Sequence, residues 1–306
     1  MCGIAGILRI HTSAPVDAEA LARMTGALVH LRGPRATGML LTAPAAILLL
    51  VLFFYPLATL FLTTLHPDNI ENYARVVSSG TYMQVFLNTL RLAVIVTVID
   101  LVIAYPLAFY MCRLTGGSRM VAFFLLLIPL WTSQLVRTYA WMVLLGRNGP
   151  INSALMALGL TDTPLRLSNS EFAVVIGMVH ILLPYMVLPI YSSASKIDRS
   201  LLEASRGLGA GAFSTLTRVL IPLTIHGVLA GVSLVLVLSL GVFIMPALLG
   251  GGRVPVIPLL IEQQAGSFLN WAMAGTFCVI LLAMVLVIFW LIKLSTRLLV
   301  RGRVHD

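Results

Sequence analysis

Lysine is almost absent from this chain of 306 residues, and its scarcity excludes an ATPase of the P-loop type. A phosphate-binding P-loop ends in Gly-Lys-Ser or Gly-Lys-Thr, but the two lysines, Lys196 and Lys293, stand in the contexts SKI and IKL. The sequence therefore carries no ATP-binding P-loop. Cysteine is also scarce, and the wide separation of Cys2, Cys112 and Cys278 matches neither a disulfide framework nor a metal-ligand spacing.

The chain is rich in apolar residues and poor in charged residues. Charged residues make up 10% of the chain and hydrophobic residues 59%, with a mean hydropathy of +1.00, whereas a soluble domain has about 25% charged residues. A membrane-spanning helix needs about 20 largely apolar residues. We predict an all-α membrane protein of about six transmembrane helices, the fifth tilted or broken near Gly241 and Pro246. The predicted spans are 39–65, 87–112, 119–145, 172–195, 219–249 and 271–294.

Arginine and lysine are unevenly distributed between the segments that join these spans. If the N-terminus is cytoplasmic, fourteen of these residues fall on the cytoplasmic side and four on the outer side. Such a bias follows the positive-inside rule, so we predict a multi-pass protein of a bacterial inner membrane with both termini in the cytoplasm. The net charge of +9 then requires no nucleic-acid partner. The outer residues are Arg75, Arg147, Arg166 and Arg253.

One polar segment, residues 203–222, lies between two of the apolar spans and reads EASRGLGAGAFSTLTRVLIP. Glycine has no Cβ and permits a left-handed backbone, so Gly209 is predicted to end a short helix. Glu203 is predicted to open that helix, where the helix dipole favours a carboxylate. Pro222 is predicted in the first turn of the next apolar helix. The pattern therefore predicts a short exposed helix joined rigidly to a membrane helix.

This segment resembles the cytoplasmic coupling loop of ABC importer permeases, whose pattern is Glu-Ala-Ala, three residues, Gly, nine residues, Ile, any residue and Leu-Pro. Glu203, Ala204, Gly209 and Pro222 are in register with that pattern, and Ser205 stands where the family has Ala. The resemblance implies a coupling helix that contacts a separate ATPase subunit. ATP would be bound by that partner, and this chain would need neither cofactor nor metal.

From about residue 40 to the C-terminus the chain resembles permeases of the spermidine/putrescine type among the binding-protein-dependent ABC importers. The resemblance implies a type I-like permease bundle, a second permease chain that shares the pore, two ATPase subunits and an extracytoplasmic solute-binding protein. Relatives of this type also handle opines and phosphonates, so polyamines are one of several small solutes that the resemblance allows. The segments that carry it include ENYARVV, NTLRLA, YPLAFYM, WTSQLVRTYAWMVLLGRNGPIN and LPYMVLPIYSS.

Three side chains in or near the predicted spans are candidates for the solute pathway. Ionisable groups in lipid are costly and usually face the bundle interior or water, and Asp100 is the acidic residue that lies well inside a span. Asp100 either attracts a cationic solute or pairs with an arginine or a backbone donor to hold helices together. The other two candidates are Arg137 and Trp141. The Trp141 ring is either a cation–π surface or an interfacial anchor.

The first forty residues differ from the rest of the chain. MCGIAGIL and residues 21–39 resemble the amino end of class II glutamine amidotransferases, in which a Cys after the initiator Met is the nucleophile. The resemblance places the nucleophile at Cys2 and a glutamine-binding arginine at Arg32. About 38 residues cannot build the core that such a site requires. We therefore predict a non-functional remnant over residues 1–38 and a permease domain over residues 39–306.

The leading hypothesis is a non-catalytic transport subunit, and two alternatives stay open at the level of sequence. One is a membrane-tethered glutamine amidotransferase, which Cys2 and Arg32 favour and the missing domain opposes. The other is a stand-alone secondary transporter, for which internal repeats and several intramembrane ion ligands would be expected.

Overall fold

The computed structural model describes the backbone of residues 34–301 and the side chains of residues 42–294 other than 199, 206 and 212. The chain divides into two compact units, residues 1–62 and 63–306. The described residues form helices joined by turns, without a strand. Five of these helices are long and apolar enough to cross a membrane, or six spans when one bent helix pair is counted as a span. The prediction of an all-α protein with about six transmembrane helices is confirmed.

The first helix, α1, runs over Pro34–Thr64. Its apolar side chains are exposed, with Leu49 67% and Phe53 63% accessible. Such exposure would be unfavourable in water, but it is favourable in a membrane, where these apolar side chains contact lipid chains. The helix accounts for the predicted span 39–65.

The second unit is organised around three long helices, α3 (Gly80–Arg113), α7 (Glu171–Ala194) and α10 (Ile221–Leu240), which pack against one another. Their buried side chains form one apolar core that includes Val96, Ala104, Met178, Met186 and Val235. Five of the helices are α2 Glu71–Ser78, α3 Gly80–Arg113, α4 Gly116–Trp131, α5 Gln134–Leu144 and α6 Pro150–Ala157. They are followed by α7 Glu171–Ala194, α8 Arg199–Gly207, α9 Ala212–Thr215, α10 Ile221–Leu240, α11 Ile244–Leu249, α12 Ile257–Glu262 and α13 Trp271–Arg301. Two π-helical turns, Leu216–Leu220 and Gln263–Ser267, precede α10 and follow α12.

Small residues allow α7 and α10 to approach closely. A Cβ added at Gly227 would lie 2.5 Å from the carbonyl oxygen of Pro189, and one added at Gly231 would lie 2.9 Å from the sulfur of Met186. Gly227 and Gly231 are four residues apart and therefore share one face of α10. This is the small-residue spacing that membrane helices use to bring their backbones together. Both positions therefore leave little room for a side chain larger than glycine.

Hydrogen bonds join α3 to the segment before α12. The Asn88 amide donates to the carbonyl oxygen of Pro255 at 2.7 Å, and the backbone N–H of Ile257 donates to the Thr89 hydroxyl at 3.0 Å. Thr89 and Ile257 are both buried, and a buried polar group is costly unless it has a partner. These bonds hold the start of α12 against α3, at the end of the unit where α7 begins.

The predicted single span 119–145 is wrong in its geometry. The structure divides it into α4 and α5, which are bent by 101° with respect to each other. Pro129 lies in the last turn of α4, where its missing N–H removes a helical hydrogen bond. Thr132 and Ser133 then adopt extended backbone angles and end the helix. The segment is apolar, as predicted, but the chain changes direction between α4 and α5.

The predicted fifth span, 219–249, is interrupted as expected at Gly241. The apolar helical segment runs over Phe213–Leu240, and the short helix α11 follows with Met245, Pro246 and Leu249 buried. The break lies at Gly241 and not at Pro246, because proline is tolerated in the first turn of α11.

Candidate functional site

The coupling segment, residues 198–222, connects α7 to α10. Its helix α8 begins at Arg199, and the Asp198 carboxylate accepts a hydrogen bond from the backbone N–H of Ser200 at 3.0 Å. This bond to the charged form holds the pKa of Asp198 below its usual value. Glu203 lies in the middle of α8, so the prediction that Glu203 opens the helix is wrong. Asp198 does so because a short carboxylate just before the first turn reaches an N–H that has no helical partner.

The end of α8 agrees with the sequence prediction. Gly209 has a φ of +77°, a left-handed angle that glycine adopts without steric cost. The N–H of Leu208 donates to the carbonyl of Ala204 at 3.0 Å, and the N–H of Ala210 donates to the carbonyl of Ser205 at 3.1 Å. The helix therefore ends at Gly207 with the carbonyls of Ala204 and Ser205 satisfied, and the left-handed Gly209 follows its end, as predicted.

Ser205 fastens this helix to the next. Its hydroxyl lies 2.9 Å from the hydroxyl of Thr215, and both side chains are buried. The family pattern has Ala at this position, and Thr215 supplies the partner that a buried serine needs. The departure from the pattern is thus compensated within the same segment.

Apolar side chains project from the coupling segment. Leu208 is 89% exposed and Phe213 is 78% exposed. Large apolar groups so accessible on a segment of polar character are typical of anchors in protein–protein contacts. Ala204 and Glu203 are also exposed.

Pro222 lies at the start of α10, directly after the π-helical turn Leu216–Leu220. The N–H of Ile221 bonds to the carbonyl of Leu216. This wider turn precedes a proline whose missing N–H leaves the regular helical pattern incomplete. Phe213–Leu240 remains one apolar helical run across this irregularity. The coupling segment therefore continues into the membrane helix through an uninterrupted helical backbone after Phe213.

A cavity of about 650 Å³ lies beside α8. Glu203 and Leu202 line it from the coupling segment, and Arg113 and Arg119 line it from α3 and α4. The ends of four helices therefore meet around one water-accessible space. Its other lining residues are Phe109, Cys112, Tyr191, Ala194, Ser195, Ile197 and Leu220.

Asp100 lies inside α3 and is fully buried, at 0% exposure. Neither carboxylate oxygen has a hydrogen-bond partner. The alternative in which an arginine or a backbone donor pairs with Asp100 is therefore not found among the described residues. Arg91, on the same helix, pairs instead with Glu171 at 2.9 Å. A buried carboxylate without a partner is costly in the bilayer, so Asp100 remains a candidate for the solute pathway.

Arg137 and Trp141 lie one helical turn apart on α5. The guanidinium of Arg137 donates to the carbonyl of Thr132 at 2.9 Å, while its Nε and Nη1 atoms are buried without a partner. The indole N–H of Trp141 donates to Nδ1 of His180 at 3.3 Å, with the ring centroids 5.8 Å apart. No ion pair joins Asp100 to Arg137, so the three predicted pathway residues do not form one hydrogen-bonded cluster.

The sequence reasoning missed the two glycines of α10 and the buried Asn152. Gly227 and Gly231 carried a usable signal, since glycines four residues apart in an apolar helix indicate a packing face. Asn152 carried no comparable signal, because its partners become neighbours only in the folded chain. Cys2 and Arg32 lie outside the described residues, so their proposed roles and the boundary at residues 38 and 39 remain predictions. Among the described residues, no group of His, Cys, Asp and Glu has the arrangement of a metal site.

Comparison with known proteins agrees with this architecture. Residues 118–303 match the family described as "Binding-protein-dependent transport system inner membrane component". The chain is 38% identical over 227 residues to the spermidine/putrescine transport system permease protein PotB of Haemophilus influenzae, covering 73% of this chain and 79% of that protein. The PotB protein of Escherichia coli K12 is 38% identical over 224 residues, covering 72% of this chain and 81% of that protein.

A solved structure shares the fold. The crystal structure of a bacterial alginate ABC transporter in complex with an alginate pentasaccharide-bound periplasmic protein contains a chain with a TM-score of 0.71 and 17% identity. The match covers 86% of this chain and 93% of that chain.

The helix bundle and its coupling segment define a multi-pass membrane transport subunit of the ABC permease type. The chain belongs to the family of binding-protein-dependent transport system inner membrane components. Family membership confirms the predicted permease and its inner-membrane location. It also confirms the prediction that this chain is a transport subunit and not an enzyme.

Proposed function

We propose that this chain is the permease subunit of an ABC importer for polyamines such as spermidine or putrescine. Separate ATPase subunits drive it, a second permease chain completes the pore, and an extracytoplasmic solute-binding protein delivers the solute. Both termini and the coupling segment lie in the cytoplasm. The polyamine assignment is supported by relatives at 38% identity that are named spermidine/putrescine permeases.

The coupling segment is the observation that carries this proposal. A short helix that is capped by Asp198, followed by the left-handed Gly209 and fastened through Ser205 lies between two membrane helices. Exposed Leu208 and Phe213 supply apolar anchors for a partner. Burying a leucine side chain stabilises a contact by about 1.5–3 kcal/mol. A partner that grips this segment would move the ends of α7 and α10 together with it.

Glu203 is the charged contact of this proposed surface. Its exposed carboxylate can accept a charge-assisted hydrogen bond from an arginine of the ATPase, and such bonds are about twice as strong as neutral ones. Glu203 also lines the cavity beside α8. Ala204 is small and exposed, which leaves room for the partner's surface to approach. We assign ATPase coupling to Glu203 and Ala204, with Ser205, Gly209 and Pro222 maintaining the segment's shape.

Asp100 is the proposed attraction for a cationic solute within the membrane. A polyamine carries ammonium groups, and a buried carboxylate without a protein partner has its full hydrogen-bonding capacity available. Coulomb attraction is much stronger in an apolar interior than in water. Asp100 is closed off at 0% exposure, so this role requires a second conformation in which α3 faces the pathway.

Trp141 and Arg137 have different proposed roles in the pathway. The face of the Trp141 ring can hold a cation, while its N–H is already occupied by His180. Arg137 has the same charge as a polyamine and would repel it. We therefore assign Arg137 to the boundary of the pathway and Trp141 to its wall.

The proposal is tested by solute uptake into proteoliposomes. The chain is reconstituted with its ATPase subunits, second permease and solute-binding protein, and uptake of radiolabelled spermidine and putrescine is measured with and without ATP. ATP-dependent uptake is expected. The absence of uptake of either polyamine by a complex that hydrolyses ATP when its binding protein is added would contradict the polyamine assignment.

The same assay tests Asp100. We expect Asp100→Asn to raise the KM for spermidine about thirtyfold or more, because losing one partner of a buried charge contact costs at least about 2 kcal/mol. Thr97→Val is a matched control, since Thr97 is buried on the same helix and its hydroxyl bonds only to the carbonyl of Ala93. An unchanged KM in Asp100→Asn would remove this residue from the pathway.

A further inference from the structure

Three arginines converge at the end of the second unit opposite the coupling segment. Arg147 follows α5, Arg166 lies before α7, and Arg253 lies between α11 and α12. Together with Leu165, Ser168 and Asn169 they line a cleft of about 220 Å³, here called the three-arginine cleft. Helix α7 begins next to this cleft and ends at the coupling segment. Its 24 residues separate the two places by about 36 Å, the length of such a helix.

Buried Asn152 joins two of the loops that carry these arginines. Its amide nitrogen donates to the carbonyl of Gly146 at 3.0 Å and to the carbonyl of Leu165 at 3.0 Å. Its amide oxygen accepts from the N–H of Leu165 at 2.9 Å. The neighbours of Arg147 and Arg166 are therefore tied to one fully buried side chain at 0% exposure.

A close backbone contact joins the third loop. Gly251 has a φ of +54°, and a Cβ added there would lie 2.7 Å from the Cβ of Asn169. Asn169 itself has a φ of +54°, an angle that asparagine adopts more readily than most residues. The loop that carries Arg253 therefore packs tightly against the loop that carries Arg166. The cleft is pre-formed, which lowers the entropy cost of binding a ligand there.

The three arginines have no acidic partner among the described residues, in contrast to other arginines at this end. Arg75 pairs with Glu71 at 3.6 Å and Arg91 pairs with Glu171 at 2.9 Å, whereas no ion pair is formed by the arginines of the cleft. Like charges held near one another repel, and the repulsion is relieved when an anion binds between them. The positive-inside rule also leaves few basic residues on the outer side, and three of the four predicted there meet in this cleft.

We propose that the three-arginine cleft docks carboxylate side chains on the surface of the soluble solute-binding protein. This rests on the proposed function, which places the cleft on the side where that protein arrives. Guanidinium groups form paired hydrogen bonds with carboxylates, and three of them around a concave surface fit acidic side chains that project from a folded partner. A polyamine would be repelled from the cleft by its charge. The cleft therefore serves the receptor and not the solute.

The test compares single and triple Arg→Gln variants of Arg147, Arg166 and Arg253 with the native chain. Arg75→Gln is the matched control, because it removes one exposed positive charge at the same end of the unit. Each complete importer is placed in nanodiscs of phosphatidylcholine alone or with phosphatidylglycerol. Biolayer interferometry then measures binding of the solute-binding protein that stimulates ATP hydrolysis by the native importer.

We expect the triple variant to weaken receptor binding about tenfold, mainly by slowing association, because complementary surface charge acts chiefly on the association rate. Its affinity should also depend less steeply on salt than that of the native importer. Each single variant should have a smaller effect, and Arg75→Gln should bind within about twofold of native. Nearly equal melting temperatures are expected, since the three arginines are exposed.

Two results would overturn the proposal. In one, the triple variant binds the receptor as the native importer does in both lipids. In the other, binding weakens only in phosphatidylglycerol nanodiscs, which would assign the cleft to an anionic lipid. Either result leaves the importer itself intact, because receptor-stimulated ATP hydrolysis by the native complex is measured separately. If no solute-binding protein stimulated the native complex, the proposed function would fail together with the docking site.

Discussion

The close packing of α7 and α10 makes Gly227→Ala the most informative single substitution in the bundle. The added Cβ would lie 2.5 Å from the carbonyl oxygen of Pro189, whereas a comfortable contact between carbon and oxygen is about 3.3 Å. The deficit is about 0.8 Å. The carbonyl belongs to the backbone of α7, so rotating a side chain cannot relieve it. The two helices must separate.

The expected loss of stability is the difference between the cost of overpacking and the gain in helix propensity. Overpacking a well-packed site costs about 1–3 kcal/mol, and the fixed carbonyl places Gly227 at the upper end of that range. Replacing glycine by alanine inside a helix returns about 1 kcal/mol. We therefore expect a net destabilisation of about 2 kcal/mol. Because Pro189 lies near the end of α7 that leads into the coupling segment, ATP-dependent uptake should fall as well.

Two further glycine substitutions should have smaller effects on stability. At Gly231 the nearest atom is the sulfur of Met186 at 2.9 Å, which a flexible side chain can move aside, and the Met186 carbonyl oxygen at 3.1 Å is less crowded than the Pro189 carbonyl oxygen at Gly227. Gly231→Ala should therefore cost about half as much as Gly227→Ala. At Gly117 in α4 no atom lies within 4 Å of an added Cβ, so Gly117→Ala should be neutral or slightly stabilising. Thermal unfolding in detergent, followed by tryptophan fluorescence, would rank the three. Equal stability of Gly227→Ala and Gly117→Ala would refute the reasoning.

Two predictions concern the polar contacts. Asn152→Ala removes three hydrogen bonds and leaves the N–H of Leu165 without its partner, while the carbonyls of Gly146 and Leu165 keep the N–H groups of Gly149 and Leu167. Unfolding should become easier by about 1–3 kcal/mol. The melting temperature and the hydrogen exchange of the Leu165 amide report this, and unchanged exchange would contradict it. The Asp198 cap depends on pH: because the pKa is lowered, its contribution is complete above the usual Asp value of about 4 and is lost as pH falls through the lowered pKa. Amide exchange of Ser200, corrected for intrinsic rate, should accelerate on acidification in the native chain and stay insensitive to pH in Asp198→Asn.

The membrane spans were predictable because the bilayer thickness dictates the length of an apolar helix. The spans 39–65, 172–195 and 271–294 coincide with α1, α7 and most of α13. Composition does not report direction, which explains the error over 119–145. A window that averages hydropathy does not detect a 101° bend, although Pro129 and the nearby polar pair Thr132 and Ser133 mark its place.

The coupling segment was predicted in outline from the local pattern. Gly209 was placed correctly because a left-handed backbone angle is a requirement that one residue type satisfies easily. Glu203 is not the first residue of the helix, because the capping carboxylate, Asp198, lies five residues earlier. An Asp followed by Arg-Ser before an apolar pair is a helix-start signal in its own right.

The three-arginine cleft could not be predicted from sequence. Arg147 and Arg166 are 19 residues apart and Arg253 is far from both, and the three become neighbours through Asn152 and the contact of Gly251 with Asn169. The unpaired state of Asp100 was equally inaccessible, because it depends on which side chains surround the middle of α3. Long-range packing, and not local propensity, determines both features.

The central claim, that the coupling segment engages a separate ATPase, is tested most directly by affinity purification in mild detergent. The native chain is compared with Glu203→Arg and with Asp68→Arg. The second variant is a control that makes the same charge change at an exposed carboxylate in the loop between α1 and α2. A P-loop ATPase should be retained by the native chain and by Asp68→Arg and lost from Glu203→Arg. Retention of the ATPase by Glu203→Arg, or its absence from all three preparations, would contradict the account.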